Sequence, residues 1–349
     1  MNEARIAGIG TALPEHIVTQ DDVRAVVGAL FGDRFSQIER ILQVFEHDHI
    51  RTRRFVRPIS WYAEQHGFRD CNNVYIETAT DLATLAATRA IEGSGHTAQE
   101  ISAIVFVSTT GIATPSIEST VLQRLQCAAT TSRIPIVGLG CAGGVVGLAR
   151  AAEICRARNG APVLLIAAEI CSVTFQRGEP TKSNIVASSI FGDGAAAVVI
   201  SGSGQGPRVG HGYSELFPNT ADIMGWDVID TGLNVRFSRD IPDFVRTNMA
   251  DVLDRFLTHT GLEKQQISTF VAHPGGAKVL DAYADVLGVP SVNVEMAKDV
   301  LREVGNISSA SVLFVLGREL RQHHEQGSLG LCLALGPGFS AEFCTLEWT

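Results

Sequence analysis

The chain lacks the features of several large protein classes. Its seven cysteines are scattered, and no two of them form a Cys-x-x-Cys pair. An odd, unpaired set argues against a disulfide framework and against a zinc site, and it favours a reducing compartment. The N-terminal residues show no basic-then-apolar signal pattern. We therefore expect a cytoplasmic protein.

Long apolar runs and an excess of basic residues are also missing. The longest uncharged stretch near the middle, 134–149, is interrupted by five glycines and a proline. It is too short and too rich in glycine to predict a membrane span. The net charge of −9 gives no general electrostatic attraction to nucleic acid or to anionic membranes. With 349 residues, 45% of them hydrophobic, the chain is long enough for two domains or one duplicated domain.

The chain does contain one sequence pattern that occurs twice. Residues 95–109 and 261–275 both show a glycine, five further residues, Ile-Ser and a short apolar run. A nearly equal spacing relates Cys141 to Asn306, and each of these is followed by a helical pattern and then an apolar run. Such self-similarity at one spacing predicts an internal duplication. The helices predicted on this pattern cover 78–91, 142–158, 245–259 and 307–325.

The repeated pattern predicts a mixed α/β fold. Apolar strands rich in Val, Ile and Leu alternate with helices, which is typical of stacked α/β layers. The segment after Cys141 is apolar all round and rich in small residues, so we expect a buried helix that a second helix can approach closely. We predict two pseudo-duplicated halves, 1–203 and 204–349, with mixed sheets and buried central helices. Residues 20–75 fit neither repeat and are interpreted as a helical insertion in the first half.

Three residues in this pattern carry chemistry. Cys141 lies between glycines at a helix start, where the helix dipole lowers the pKa of a thiol, although most cysteines in apolar surroundings are inert. His273 precedes Pro-Gly-Gly, which favours the carboxyl end of a strand. Asn306 has the context of a helix N-cap, and its equivalence to Cys141 adds a neutral amide donor to the site.

A thiol, an imidazole and an amide together suit decarboxylative Claisen condensation. Cys141 takes an acyl group from a thioester, and His273 and Asn306 bind the carbonyl of a malonyl thioester. Loss of carbon dioxide then leaves an enolate that the two donors stabilise, and its carbon attacks the acyl group on Cys141. Because decarboxylation generates the carbanion, this chemistry requires no metal and no redox cofactor.

The motifs around these residues resemble the thiolase superfamily and, within it, the type III polyketide synthases, the chalcone-synthase-like family. The resemblance covers nearly the whole chain and implies a thiolase-like fold of αβαβα layers and an acyltransferase activity. The segments that carry it are 140–144, 169–175, 191–196, 273–276, 305–309 and 336–338.

The resemblance implies a set of site residues and partners. Cys141 carries the acyl group, and His273 and Asn306 assist decarboxylation. The substrates are an acyl-CoA starter and malonyl-CoA, without a further cofactor or a carrier protein, and the enzyme is a homodimer. The positions that the resemblance assigns to substrate contact, with Phe191 as a gatekeeper aromatic, are Thr110, Thr174, Phe191, Trp226, Val235, Gly275, Gly276, Ser308 and Pro337.

The chain departs from the plant members of this family in ways that bear on its product. Val235 occupies the position of a gatekeeper phenylalanine of the plant members. The motif that contains Trp226 resembles that of the bacterial alkylresorcinol and alkylpyrone synthases. An aliphatic starter and an alkylpyrone or alkylresorcinol product are therefore expected. The alternatives are a β-ketoacyl-CoA synthase that condenses once and a non-condensing partner subunit that binds acyl-CoA. The candidates for contact with the coenzyme A phosphates are Arg40, Arg51, Arg53 and Lys278.

Overall fold

The computed structural model describes residues 3–34, 38–46, 49–288 and 294–349, and strands and helices alternate along them. The strands are β1 (Arg5–Ala12), β2 (His16–Thr19), β3 (Thr52–Phe55), β4 (Ala103–Val107), β5 (Ser132–Ile136), β6 (Val163–Ile170), β7 (Asp193–Ser201), β8 (Arg208–Leu216), β9 (Met224–Ile229), β10 (Gly232–Phe237), β11 (Ile267–Ala272), β12 (Leu329–Gly336) and β13 (Ser340–Glu347). The helices are α1 (Gln20–Phe31), α2 (Ile38–Leu42), α3 (Ile59–Ala63), α4 (Phe68–Glu92), α5 (Glu118–Arg124), α6 (Gly143–Ala157), α7 (Lys182–Ile190), α8 (Ile241–Thr260), α9 (Ala277–Leu287), α10 (Glu295–Val304) and α11 (Ser311–Glu319).

The sheet repeats one strand pattern in the two halves of the chain. In the first half, β4 pairs parallel with β6, β6 antiparallel with β7, and β7 antiparallel with β1. In the second half, β11, β12, β13 and β8 follow with the same directions in the same order. The two sets join where Arg5 of β1 pairs with Arg208 of β8, and β5 extends the first set beyond β4. The predicted duplication and mixed sheet are confirmed, and the pairing of β1 with β8 makes the two halves one continuous sheet.

Two helices lie between the halves, as the apolar pattern predicts. Helix α6 contacts β4, β6 and β7 of the first half as well as β8, β12 and β13 of the second. Helix α11 likewise contacts β1 and β7 as well as β11 and β12. Helix α4 covers the first half from outside through β1, β6 and β7, while α8 packs on β8 with α9 beside it. Because helices cover both faces, every residue of β6 and β7 is buried.

The two central helices approach each other at a contact that only small residues permit. A Cβ atom on Gly144, in the first turn of α6, would lie 2.2 Å from the carbonyl oxygen of Ser309 and 2.6 Å from Cγ1 of Val312. Both distances are far below van der Waals contact. Gly144 is therefore required for the backbones of α6 and α11 to come this close, and this contact brings the start of each helix beside the other.

The insertion forms a lobe with its own apolar core. Strands β2 and β3 pair antiparallel, and residues of α1, α2, β3 and α3 pack together, among them Val23, Phe55 and Tyr62. Two predicted helices have wrong bounds. Helix α4 begins at Phe68 instead of 78, and helix α11 ends at Glu319 instead of 325. Helix α11 begins only at Ser311, because Ser308 has a φ of +46° and the chain makes a 3₁₀ turn there first.

Within the described ranges, none of the helices is both long enough and apolar enough to cross a membrane.

We predict that Gly144→Ala lowers the free energy of unfolding by about 1–3 kcal/mol, because the added methyl group overpacks the contact between α6 and α11. Urea denaturation followed by circular dichroism measures this. Gly178→Ala is the control, since a Cβ atom at Gly178 has no neighbour within 4 Å. Equal stability of the two variants would contradict the close approach.

Candidate active site

Cys141 lies in a buried turn at the entrance to the first central helix. A 3₁₀ turn over Gly140–Ala142 precedes α6, and the Cys141 side chain is 6% exposed. Pro337, at the end of β12, packs against this turn, since a Cβ atom on Gly140 would lie 2.9 Å from its Cδ. The Cys141 Sγ is 3.9 Å from the Ser308 Oγ. The predicted substrate position Ser308 thus lies beside the thiol.

The thiol of Cys141 is more basic than the sequence predicts. Burial raises the pKa of Cys141 to about 12, and the negative charge of Glu169 raises it further, while hydrogen bonds from Ser308 and Asn306 act in the opposite direction. The expectation that the helix start lowers this pKa is therefore wrong for the unliganded site. Removal of the thiol from water outweighs the dipole of α6.

His273 follows β11 directly and is held in the site as a neutral imidazole. Its backbone N–H donates to the carbonyl of Leu333 in β12, at 2.9 Å, and the ring is buried. Burial lowers the pKa of His273 to about 3. In the part of the chain that the structure describes, neither ring nitrogen has a hydrogen-bond partner. A neutral imidazole has one N–H donor and one acceptor, so His273 can offer both to a bound molecule.

Asn306 has a side-chain amide of defined orientation. Its Oδ1 accepts a hydrogen bond from the backbone N–H of Ser308 at 2.8 Å, which directs its Nδ2 the other way. The Nδ2 donates to the carbonyl oxygen of Gly275 at 3.2 Å. Gly275 in turn lies against the His273 ring, since a Cβ atom there would be 3.4 Å from the ring Cδ2. Asn306 therefore connects the loop of His273 to the neighbours of Cys141.

A buried carboxylate beneath these residues has no counterpart in the sequence-based site. Glu169, in β6, accepts hydrogen bonds from the N–H of Thr109 at 3.0 Å, from the Thr110 hydroxyl at 2.9 Å and from the Ser309 hydroxyl at 2.6 Å. Thr109 also accepts a bond from the N–H of Gly140 at 3.2 Å. Burial raises the pKa of Glu169. The hydroxyl of Thr110, a position predicted to contact substrate, is bonded within this network. The sequence feature that could have indicated Glu169 is that it is the one charged residue in the apolar run of β6.

Three predicted substrate positions form one aromatic and aliphatic wall. Phe191 packs with Val235, and its ring centroid lies 6.2 Å from that of Trp226 and 5.6 Å from that of Phe237. Trp226 and Val235 are cross-strand partners in the β9–β10 hairpin. Cys171 belongs to the same cluster, and Cys141 lies near enough to contribute to the raised pKa of its thiol. The wall therefore adjoins the nucleophile.

A largely apolar cavity of about 490 Å³, counting space open to solvent, extends from this wall into the insertion. Thr174, the remaining predicted substrate position on this side, lines it, with its hydroxyl bonded to the carbonyl of Cys171 at 2.7 Å. Most of the other lining side chains come from α1, β3, α3 and α7, and they include Val23, Val26, Val27, Phe55, Ile59, Tyr62 and Ala187. Phe191 and Val235 of the wall line it as well.

The four basic residues predicted to contact the coenzyme A phosphates differ in their exposure. The side chains of Arg40, Arg51 and Lys278 are exposed. Lys278 lies in the first turn of α9, the helix that begins directly after the predicted substrate position Gly276. Arg53 is fully buried, and its guanidinium donates to protein oxygens. The expectation that Arg53 contacts a phosphate is corrected, because its charged group does not reach solvent.

Within the described residues, no group of three or more His, Cys, Asp or Glu side chains could hold a metal ion. The side chains of Cys141, His273 and Asn306 offer a thiol, a neutral imidazole and an amide to a substrate, and that of Ser308 adds a hydroxyl group.

The chain matches one family along both of its halves. Residues 1–205 match the N-terminal domain of chalcone and stilbene synthases, and residues 209–347 match their C-terminal domain. It is 42% identical over 361 residues to a putative chalcone synthase of Bacillus subtilis, with 99% of each chain covered. It is 30% identical over 354 residues to the alpha-pyrone synthesis polyketide synthase-like Pks18 of Mycobacterium tuberculosis, covering 97% of this chain and 90% of the relative.

A solved structure shares the fold over nearly its full length. The 1,3,6,8-tetrahydroxynaphthalene synthase of Streptomyces coelicolor A3(2), described as a bacterial type III polyketide synthase, superposes with a TM-score of 0.94 at 30% identity. The comparison covers 99% of both chains.

We predict that Glu169→Gln lowers the pKa of the Cys141 thiol, because it removes a negative charge that disfavours the thiolate. Alkylation by iodoacetamide at fixed pH should then be roughly two- to tenfold faster, since only the thiolate reacts. Mass spectrometry of the Cys141 peptide measures the rate. Glu118→Gln is the control, because Glu118 is also buried but does not contribute to the shift at Cys141. Unchanged alkylation in a folded Glu169→Gln variant would contradict the assignment.

Proposed function

The chain belongs to the chalcone and stilbene synthase family, the type III polyketide synthases, and on that premise we propose that it condenses an aliphatic acyl-CoA starter with malonyl-CoA to an alkylpyrone or alkylresorcinol. The observation that carries the mechanism is the buried, neutral His273 ring without a protein partner among the described residues. It is linked through Gly275 to Asn306, whose neighbour Ser308 lies beside Cys141.

Acyl loading takes place on Cys141. The thiol sulfur forms a bond to the carbonyl carbon of the starter thioester, and the bond from that carbon to the coenzyme A sulfur breaks. The proton of Cys141 leaves with the coenzyme A thiol, so the charge of the site is unchanged at the end. The raised pKa of Cys141 means that the thiol is the resting form, and deprotonation accompanies attack.

Decarboxylation uses two neutral donors. The N–H of His273 and the Nδ2 of Asn306 hydrogen-bond the thioester carbonyl oxygen of malonyl-CoA. Carbon dioxide leaves, and the electron pair of the broken bond becomes an enolate on that oxygen, which the donors stabilise. The enolate carbon attacks the acyl carbonyl on Cys141 and displaces the thiolate. In this buried site a neutral imidazole costs less than a charged one, which agrees with the lowered pKa of His273.

The apolar cavity beyond Phe191 supports an aliphatic starter. Its walls are mainly aliphatic and aromatic side chains, part of them from the insertion, which suit an alkyl chain better than a charged or highly polar group. Two of the similar proteins carry different product names, an alpha-pyrone and a tetrahydroxynaphthalene. The cavity favours the first kind of product for this chain, because tetrahydroxynaphthalene carries only hydroxyl substituents and has no alkyl tail to place there.

Further parts of the proposal concern the coenzyme and the assembly. Exposed Arg40, Arg51 and Lys278 are proposed to contact the phosphates of coenzyme A. A homodimer is proposed, supported by the exposed apolar side chains of Ile112, in the loop after β4, and of Val137, directly after the edge strand β5. The division into 1–203 and 204–349 is also proposed, supported by the repeated strand pattern.

Each of the two alternative functions implies something that this proposal does not. A β-ketoacyl-CoA synthase adds one malonyl unit for each product, whereas a polyketide synthase adds several. A non-condensing partner subunit has no need for Cys141, His273 and Asn306 together, so their joint presence in one buried site argues against it.

We predict that Cys141→Ala abolishes acyl loading and lowers condensation by at least about a thousandfold, because the nucleophile is lost. Mass spectrometry of the protein, incubated with acyl-CoA from acetyl- to stearoyl-CoA with and without malonyl-CoA, detects both adduct and product. Cys155→Ala is the control, as Cys155 is a buried cysteine of α6, the helix that follows the turn of Cys141. Condensation near the parent rate in Cys141→Ala would refute the mechanism, and products extended only once would indicate the single-condensation alternative.

We predict that Ala187→Leu shifts the preferred starter to shorter chains, because the added carbons occupy the cavity next to Phe191. The value of kcat/KM for the longest accepted starter should fall by about tenfold or more, while that for acetyl-CoA changes little. Ala25→Leu is the matched control, since Ala25 lies on the exposed side of α1. An unchanged chain-length profile for Ala187→Leu would remove the cavity from the proposal.

A further inference from the structure

Strand β3 of the insertion binds the ends of two helices that lead into the site. Helix α7 ends at Ile190, directly before Phe191, and helix α10 ends at Val304, directly before Gly305 and Asn306. The N–H of Arg51 donates to the carbonyl of Arg302 at 2.8 Å, and the Thr52 hydroxyl donates to that of Glu303 at 2.8 Å. These are carbonyls of the last turn of α10, which have no partner within the helix.

The next residue, Arg53, likewise binds backbone carbonyls at the end of helix α7. Its Nη1 donates to the carbonyl of Ser188 and, at 3.2 Å, to the carbonyl of Phe191 itself. Its Nη2 donates to the Gln20 Oε1 at 2.6 Å, and the Gln20 Nε2 donates to the carbonyl of Ser189 at 3.0 Å. A cation at the C-terminus of a helix is favoured by the helix dipole. Arg53 and Gln20 therefore fix the backbone that leads into the gatekeeper position.

The aliphatic part of the Arg53 side chain contacts the segment of Asn306. A Cβ atom on Gly305 would lie 2.7 Å from the Arg53 Cγ, and one on Gly192 would lie 3.5 Å from its Cβ. The two segments pair above it, since the N–H of Asn306 donates to the carbonyl of Ile190 at 2.8 Å and that of Gly192 to the carbonyl of Asn306 at 3.0 Å. Arg53 thus touches both sides of this bridge.

The cost of burying Arg53 points to a role in geometry. The side chain is 0% exposed, and burial lowers the pKa of Arg53 to about 9, with the Asp193 carboxylate as the nearby counter-charge. Asp193 is itself bound by the N–H and hydroxyl of Ser172 and by the N–H of Val56, and burial raises its pKa to about 6. Replacing a whole buried ion pair by apolar side chains is often neutral or favourable for stability, whereas removing one partner leaves the other charge unpaired and is destabilising. The presence of this pair is therefore not explained by stability alone, and the hydrogen bonds of Arg53 point to a role in positioning.

We propose that Arg53 is a positioning residue that sets the relative placement of Phe191 and Asn306, and through it the decarboxylation of malonyl-CoA. The inference rests on the proposed function. Arg53 itself does not touch substrate. The turn that carries Cys141 is held at Gly140 by Thr109 and Pro337, so we expect acyl loading to depend less on Arg53 than decarboxylation does.

The test separates the two half-reactions in the full-length protein. Arg53→Met keeps the aliphatic part of the side chain and removes the charge and the donors, while Arg53→Lys keeps one charged donor. Acyl adduct formation on Cys141 is measured with acyl-CoA alone, and decarboxylation with malonyl-CoA alone as release of acetyl-CoA. In Arg53→Met we expect loading within about threefold of the parent and decarboxylation about 10- to 100-fold slower, as for a misplaced catalytic group. Arg53→Lys should recover part of the loss.

The control is Arg54→Met, the next residue of β3, whose guanidinium binds the carbonyls of Pro14 and Glu15 instead. It should leave both half-reactions unchanged. If Arg53→Met does not fold, Gln20→Met removes only the neighbouring bonds and should show the same split to a smaller degree. Equal losses in the two half-reactions, or none in folded variants, overturn the inference. A parent protein that neither loads nor decarboxylates overturns the proposed function, and the inference with it.

Discussion

The close contact between the two central helices is the constraint on which the rest of the structure depends. Gly144 lets α6 approach the carbonyl of Ser309, and this contact fixes where Cys141 and Asn306 lie relative to each other. The halves of the sheet are held on either side of the same helix pair. A side chain at this point would separate the helices, and with them the thiol from the amide. The packing at the centre of the fold and the geometry of the site thus both require a residue without a side chain at this position.

Burial determines the charge state of the site as well as its shape. Loss of water raises the pKa of Cys141 and lowers that of His273, so thiol and imidazole are both uncharged before a substrate binds. Neutral donors suit an enolate, since they stabilise charge that develops during reaction without holding a counter-charge beforehand. The same desolvation is the reason why a helix start alone is a poor guide to the acidity of a thiol. Its dipole is a smaller effect than removal from water.

Much of the fold could be predicted because the duplication leaves its spacing in the sequence. The equivalence of Cys141 and Asn306 follows from that spacing, and the structure links Asn306 through its side chain to the loop of His273. The residues that were missed or misjudged depend on contacts between distant segments. Glu169 and Arg53 are charged, and charge alone predicts a surface position for Arg53. Only the folded chain shows that the carbonyls and hydroxyls around them make burial tolerable. The start of α11 was missed because it depends on the positive φ of Ser308.

Part of the wall of the apolar cavity has a different origin from the reacting groups. The duplicated halves supply Cys141, His273 and Asn306, whereas much of the cavity wall comes from α1, β3 and α3 of the insertion. Natural variation in the insertion can therefore alter which chains are accommodated while the duplicated halves stay the same. Strand β3 limits that freedom, because it contributes Phe55 to the cavity and also binds both helix ends. Divergence of substrate range within such a lineage should accumulate in α1 and α3 and spare β3.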